Sequence, residues 1–417
     1  MRVAQVSFSG RSGGAARAAS RLHSALRETG VDSVFVSGDR IESDHELRAV
    51  GPLGQSGRWF HQKFERLLVE AQRHQDVHMR SLGIFDGPSL EAINELKPEV
   101  VNLHLTSFGF MSVSQMAKIS QPVVWTLHDM WGFSGAEHYS NDDESARWKT
   151  EYKRENRVPG DRGLDLDRWT WRRKVKHWTN PVHLVAPSQW LADCCRQATL
   201  TKRWPVRVIP YSVQIERFPL IDQEIARRTL GIPYDSPVIV FGAAGAFDDP
   251  RKGWDLLRQA LPKVRGQFPE LRVLVFGGKT PSDADLQGGV RWLGAISSDN
   301  ELAKIYAAGD VLALPSRFDN LPLVGMEAQV CGLPLVGFET CGIPDLVPSP
   351  LEGAMAKPFD VGDLSSKLID HLRARKSNPQ TRSHVRARAL QRWSAKTVAA
   401  QYHQLYLEVL HTRNEAS

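Results

Sequence analysis

Asp319 and Glu327 lie eight positions apart in the stretch Gly309 to Pro344, GDVLALPSRFDNLPLVGMEAQVCGLPLVGFETCGIP. The first acid falls in a polar turn, Ser316-Arg317-Phe318-Asp319-Asn320, and the second in a helix-compatible run from about Leu323 to Val330. A helix that starts at the C-terminal edge of a parallel sheet offers free backbone N–H groups and the positive end of its dipole. Such a place suits a phosphate, and a carboxylate one or two turns on suits the hydroxyls of a ribose. An ordinary βαβ unit with solvated acids would show the same spacing. Upstream, Asp249-Pro250-Arg251-Lys252-Gly253-Trp254 puts two cations at the start of a helix containing Leu256, Leu257 and Leu261. Cations there oppose the dipole slightly, which favours a functional reading. His128-Asp129 at a strand end either belongs to a site or caps local backbone groups.

Apolar runs stopped by glycine, proline or polar residues supply the elements that must position these side chains. Val311-Leu312-Ala313-Leu314-Pro315 reads as a buried parallel strand, Gly332-Leu333-Pro334 closes the following helix, and Leu335-Val336-Gly337-Phe338 is the next strand. Val3 to Phe8, Val31 to Val36, Pro98 to His104, Val123 to Asp129 and Val182 to Val185 repeat the theme in the first half. Strands ending in polar residues, each followed by a helix, predict a doubly wound α/β domain with ligands at the C-terminal strand ends. Val238 to Gly242 restarts the pattern after Pro233 and Pro237, so a domain boundary is expected near residue 210. Gly13-Gly14, between the first strand and the helix former AARAASRL, lets the backbone approach a ligand or simply makes a tight turn. The absence of GxGxxG argues against a dinucleotide.

With 417 residues, 41% of them hydrophobic and 24% charged, the chain describes a globular protein of two or more domains. No apolar run approaches the roughly 20 residues that span a bilayer, and MRVAQVSFSG reads as a strand running into a glycine turn, not as a signal peptide. Cys194, Cys195, Cys331 and Cys341 show no CxxC and no histidine partners, so no metal site is expected and the thiols read as reduced, in a cytoplasmic protein. Between Arg147 and Lys176 eleven Lys/Arg face five Asp/Glu, an excess equal to the +6 of the whole chain. A protein balanced elsewhere does not look like a nucleic-acid binder. The segment 141–179 also carries Trp148, Trp169, Trp171 and Trp178. It reads as a solvated insertion whose tryptophans pack on the domain, as an acceptor-phosphate site, or as a peripheral membrane contact through 147–178.

Taken as a whole string, Asp319 to Pro334 resembles the E-x7-E region of retaining glycosyltransferases of the GT-B fold, family 4 in particular, with Glu327-Ala328 and Cys331-Gly332-Leu333-Pro334 matching its "EA…cGlP" signature. Other matches are Gly13-Gly14 with the N-terminal glycine loop, Arg251-Lys252-Gly253 with "RKG", and Val206 to Val213 with "vIPyGvd". TLHDMWGFSGAEHY is similar to a string of a subgroup acting in polysaccharide and lipopolysaccharide assembly. The sequence departs from the pattern in three places: Asp319 is the shorter acid, Ala246 stands where related enzymes often carry Arg, and Glu137 replaces a cysteine.

This resemblance, running from about Val3 to Tyr406, implies a GT-B fold: two doubly wound Rossmann-like α/β domains, 1–210 and 211–385, facing each other across a cleft. A helical segment, 386–417, would cross back to the first. It implies a retaining, hexosyltransferase-type enzyme that moves a sugar from a nucleotide-sugar donor to a glycan or lipid-linked acceptor, with no cofactor and no essential metal. Arg251 and Lys252 would neutralise the diphosphate, Glu327 hold the ribose, and the backbone of Asn320-Leu321 take phosphate and sugar. Asp319 would contact sugar hydroxyls, His128 approach the transferred sugar or its phosphate, and Gly13-Gly14 line the acceptor-side domain. Another GT-B enzyme, such as a nucleotide-sugar epimerase or a sugar phosphorylase, and a non-catalytic partner subunit are the alternatives.

Overall fold

The computed structural model describes residues 1–10, 13–38, 46–48, 54–72, 79–243, 249–278, 289–375 and 380–416; Ala246 lies outside them. Two compact units emerge, one of Met1–Pro210 with Val398–Ser417 and one of Tyr211–Thr397.

Unit 1 is built on β1 (Arg2–Ser7), β2 (Asp32–Ser37), β3 (Glu46–Arg48), β4 (Val100–Leu103), β5 (Val123–Thr126), β6 (His183–Ala186) and β7 (Val206–Val208). They form one parallel sheet in the order β3-β2-β1-β4-β5-β6-β7. Its helices are α1 (Gly14–Glu28), α2 (Gly54–Ala71), α3 (Ser89–Leu96), α4 (Val113–Met116), α5 (Arg147–Thr150), α6 (Leu166–His177) and α7 (Gln189–Gln197). Val3, Ala4, Val6, Val100 and Val101 are fully buried, as strands covered on both faces by helices must be. Trp125, Trp131, Trp148 and Trp178 join one core cluster with Leu103, Phe110 and Phe133.

Unit 2 repeats the plan. α8 (Gln223–Thr229) precedes β8 (Val238–Gly242); α9 (Trp254–Gln267), β9 (Arg272–Phe276), β10 (Val290–Trp292), α10 (Asp299–Ala308), β11 (Val311–Leu314), α11 (Leu323–Val330) and β12 (Leu335–Phe338) follow. β13 (Gly353–Ala356), which sequence reading passed over, and α12 (Val361–Ala374) complete the parallel order β10-β9-β8-β11-β12-β13. β13 contains only Gly, Ala and Met, which gives it no β-branched signal.

One expected boundary needs correction. α13 (Thr381–Trp393) stays with unit 2: the Arg386 guanidinium donates to the Phe218 carbonyl at 3.2 Å, and Val213 N–H donates to Trp393 O at 2.9 Å. Only the next helix, α14 (Ala395–Ala416), passes into unit 1, from Val398 onward. The segment 386–417 is therefore divided between the units. Tyr402 and Tyr406 are buried there; the Tyr406 hydroxyl lies 3.1 Å from the Gln5 amide and 2.9 Å from that of Asn102, and the Tyr402 hydroxyl 3.0 Å from Thr126 Oγ1.

Candidate active site

In both sheets the strand order reverses direction beside the first strand, between β1 and β4 and between β8 and β11. Loops leaving those strands diverge and open a crevice at the carboxyl ends, which is where doubly wound sheets take ligands.

In unit 2 the loop after β8 enters α9 through a tight turn, Pro250–Lys252. Asp249 caps that turn, accepting from the Arg251 N–H at 3.1 Å and from its guanidinium at 2.7 Å. Burial pushes the Asp249 carboxyl up, but Arg251 outweighs it and holds the group below its usual range. Lys252 reaches from this turn to the loop after β11, where its Nζ lies 2.6 Å from Asp319 Oδ2. The two side chains are 22% and 12% exposed, so the pair is only partly hydrated. The first acid and the second cation, 67 residues apart in sequence, thus meet across the switch point.

Arg317 fastens the same two loops. Its N–H donates to Arg251 O at 2.6 Å, and its guanidinium forks onto Asp255 at 2.8 and 2.7 Å. Sequence reading missed this clamp, because nothing in Ser316-Arg317 points to an aspartate sixty residues earlier. Behind the loop, α11 begins at an extended Pro322 with no side chain capping it and no acid in its first turn. Asn320 and Leu321 are buried at that entry. Glu327, 1% exposed, sits in the second turn, where the Tyr306 hydroxyl of α10 donates to its Oε2 at 3.3 Å. Asp319 and Glu327 therefore belong to one loop–helix unit but differ in surroundings, one beside an ammonium and the other beside a phenol.

In unit 1, Gly13 precedes α1 with φ +90°, and added Cβ atoms at Gly13 and Gly14 would meet nothing within 4 Å. The turn stands open, with no acid in the first turn of α1. His128 follows β5, 9% exposed, with Nε2 3.1 Å from His104 Nδ1; His104 Nε2 is in turn 2.8 Å from Gln5 Oε1. Gln5, Asn102, Thr126 and Tyr406 continue this polar network into the core. Its members lie on three strands and a helix, too far apart in sequence for any motif to group them. Asp129 turns away from it: Oδ1 accepts from Trp131 N–H at 2.9 Å and Oδ2 lies 2.6 Å from His138 Nδ1. His128 and Asp129, adjacent in sequence, thus serve separate networks.

The loop after His128 is pinned from below by Lys174 of α6. Fully buried, its ammonium donates to the carbonyls of Trp131, Ser134 (3.3 Å) and Gly135 (2.7 Å) and lies 3.9 Å from the Trp131 ring centre. Burial lowers its pKa well below the usual value, against the pull of Glu137, Asp129 and Asp167. Among the described residues no group of three or more His, Cys, Asp or Glu is placed to hold a metal ion.

Burial brings the His128 imidazole down to about 4 although Asp129 pulls it up, and burial together with His128 drives His104 well below its usual value. Both rings are neutral at pH 7. On acidification the unfolded chain takes up these protons near pH 6.5, the folded His128 only near pH 4. Stability from this group is complete above pH 6.5 and falls as pH drops from there towards 4, by roughly 3 kcal/mol in all. Urea unfolding at pH 7.5 and pH 4.5 reads this loss, and His128→Asn is expected to flatten it. Parallel losses in both proteins would contradict the buried, neutral ring.

Residues 12–217 match the family described as Glycosyltransferase Family 4, and residues 238–374 match Glycosyl transferases group 1. A D-inositol 3-phosphate glycosyltransferase of Stackebrandtia nassauensis is 32% identical over 182 residues, 39% of this chain and 40% of that relative. The matched part thus spans about two-fifths of its length. Among solved structures, sucrose-phosphate synthase from Thermosynechococcus elongatus superposes with a TM-score of 0.70 at 18% identity, covering 99% of both chains. Anabaena Alr3699/HepE in complex with UDP-glucose gives 0.64 at 17% identity, covering 99% of this chain and 100% of that one. At such identities the structures speak for the fold alone. Family matches in both halves of the sequence and the shared two-domain α/β fold make this chain a member of the GT-B glycosyltransferases.

Proposed function

We propose that the protein is a retaining glycosyltransferase that moves a hexosyl group from a nucleotide-sugar donor to a glycan or lipid-linked acceptor in cell-surface polysaccharide synthesis. The observation that carries the donor assignment is the Lys252–Asp319 pair at the switch point of unit 2, beside the uncapped start of α11. An ammonium has three N–H donors, and Asp319 engages one. The others suit a donor phosphate oxygen, with Arg251 beside them and the α11 backbone N–H groups behind. Glu327 takes the ribose hydroxyls, and Asp319 the hydroxyls of the sugar. In unit 1 the neutral His128 ring is assigned to the sugar or its phosphate, and Gly13-Gly14 to an open backbone approach.

In the proposed step the acceptor hydroxyl oxygen bonds to the anomeric carbon on the face the donor leaves. The bond from that carbon to the phosphate oxygen breaks, the electron pair leaves with the nucleoside diphosphate, and its phosphate takes the hydroxyl proton. Charge gathers on phosphate oxygens, where fixed cations stabilise it best. No enzymatic nucleophile is required.

Calorimetric titration of UDP, GDP, ADP and NAD into the wild type and Glu327→Ala tests the donor site. Micromolar binding of one nucleoside diphosphate, lost by about 100-fold in the variant, supports the assignment and names the base. Binding of none, or equal binding by both proteins, removes it and leaves a non-catalytic subunit as the better reading. Conversion of a free nucleotide sugar without acceptor would instead favour an epimerase.

A further inference from the structure

α2 turns buried polar groups inward beside Leu68 and Val69, which pack on Leu82, Ala136 and Leu166. Glu65 is 6% exposed and accepts from the backbone N–H groups of Leu82 (3.2 Å) and Ile84 (2.8 Å). Gln72, 2% exposed, accepts from Leu166 N–H at 2.7 Å, and the Gln62 amide donates to Phe108 O at 3.1 Å. The opposite arc of the helix carries Trp59, Phe60, Phe64 and Leu67, between 41% and 61% exposed, with Lys63 among them. At 100° per residue these five fall within about 140° of arc. An ordinary surface helix keeps its outward arc polar.

Beside α2 runs a groove with an apolar floor of Leu68, Leu82, Ile84 and Leu166 and a rim of four arginines, Arg154, Arg157, Arg168 and Arg172. The Arg154 and Arg172 side chains are exposed and make no hydrogen bond or ion pair with any described residue. Arg157 donates to the carbonyls of Gly163 and Arg162, and Arg168 to Tyr152 O; neither forms an ion pair among the described residues, although the Asp165 carboxylate acts on Arg157 from a longer distance. Asp165, the groove's own acid, is engaged by Arg147 at 2.6 Å. Leu164, 72% exposed, and Trp169, 42% exposed, stand at the lip.

Aromatic and aliphatic side chains beside Arg154 and Arg172, which have no acidic partner among the described residues, match the head-group layer of an anionic bilayer. We propose that α2 and the arginine groove form a docking face for an anionic phospholipid membrane. Trp59, Phe60 and Leu67 enter the boundary between head groups and acyl chains, while Arg154 and Arg172 take lipid phosphates. The basic 147–178 segment thus contributes arginines to this face. Its Trp148 and Trp178 are buried in the core, and α2 supplies most of the aromatic contact. Among the described residues no helix is long and apolar enough to cross a membrane, so the contact lies in the membrane plane.

Flotation of the full chain with phosphatidylcholine vesicles, with and without phosphatidylglycerol, tests this independently of donor binding and transfer. Recovery with anionic vesicles is expected to exceed that with neutral ones by about tenfold or more. Arg154→Gln/Arg172→Gln and Phe60→Ser/Leu67→Ser should each lower anionic binding roughly tenfold with unchanged melting temperature and nucleotide affinity. The proposal is overturned by absent flotation, by equal recovery on both vesicles, or by variants that bind like wild type. A dimer by light scattering that the α2 variant dissolves would assign the face to a second copy instead, and overturns it equally.

Discussion

Lys252→Met is expected to lower the rate constant for sugar transfer about 100- to 1,000-fold, with nucleoside diphosphate affinity down about tenfold. The asymmetry follows from where charge appears. In the bound donor the phosphate charge is shared with the sugar bond, and that bond's electrons reach the phosphate only as it breaks. A cation fixed 2.6 Å from Asp319 stands ready without reorganisation. Removing it also leaves a carboxylate, 12% exposed, with no ammonium beside it, which costs about 1–3 kcal/mol of stability. Lys252→Met/Asp319→Asn separates the two effects, since the neutral amide relieves the stranded charge but restores no phosphate contact. Stability should recover in the double variant while transfer stays slow. Should transfer by Lys252→Met stay within about threefold of wild type, Lys252 takes no part in leaving-group stabilisation.

Gly253→Ala should destabilise the protein by about 4 kcal/mol or more, against the roughly 1 kcal/mol typical of a point change. Gly253 has φ +71°, and a Cβ there would stand 1.9 Å from the Pro315 carbonyl oxygen and 2.8 Å from its carbon. Both are backbone atoms at the end of a buried strand, so neither can swing aside as a side-chain tip would. Either the turn at Pro250–Lys252 or the end of β11 must shift, and Lys252 would leave Asp319. A lowered urea midpoint with an unchanged slope is the expected reading. A variant as stable as wild type would mean that the turn and β11 separate freely, and the ion pair would then be loosely held as well.

Legibility from sequence followed the range of the interactions. α11 appears over the residues its apolar run and following glycine foretold, Leu323–Val330, because helix start, periodicity and C-terminal glycine are all local. β8 and β11 were equally plain, being short and uniformly apolar. Partners across the sheet were not plain. Tyr306 beside Glu327, Asp255 beside Arg317 and Gln5 beside His104 each join segments set side by side only by strand order. Periodicity gave no access to the outward face of α2 either. Residues 55–80 read as a charged helix or helix pair rich in basic and aromatic residues, and it is the buried Glu65 and Gln72, with Leu68 and Val69, that show which side faces in.

α14 gives unit 1 a dependence on time. Gln5, Asn102 and Thr126 find Tyr406 and Tyr402 some 276 to 401 residues further on, after the ribosome has made all of Tyr211–Thr397. Unit 2 is contiguous and can close as soon as it has emerged. The central strands of unit 1, although made first, can meet these hydroxyls only after this helix has been made. Of the two halves, the earlier-made one is therefore the one whose contacts are completed last.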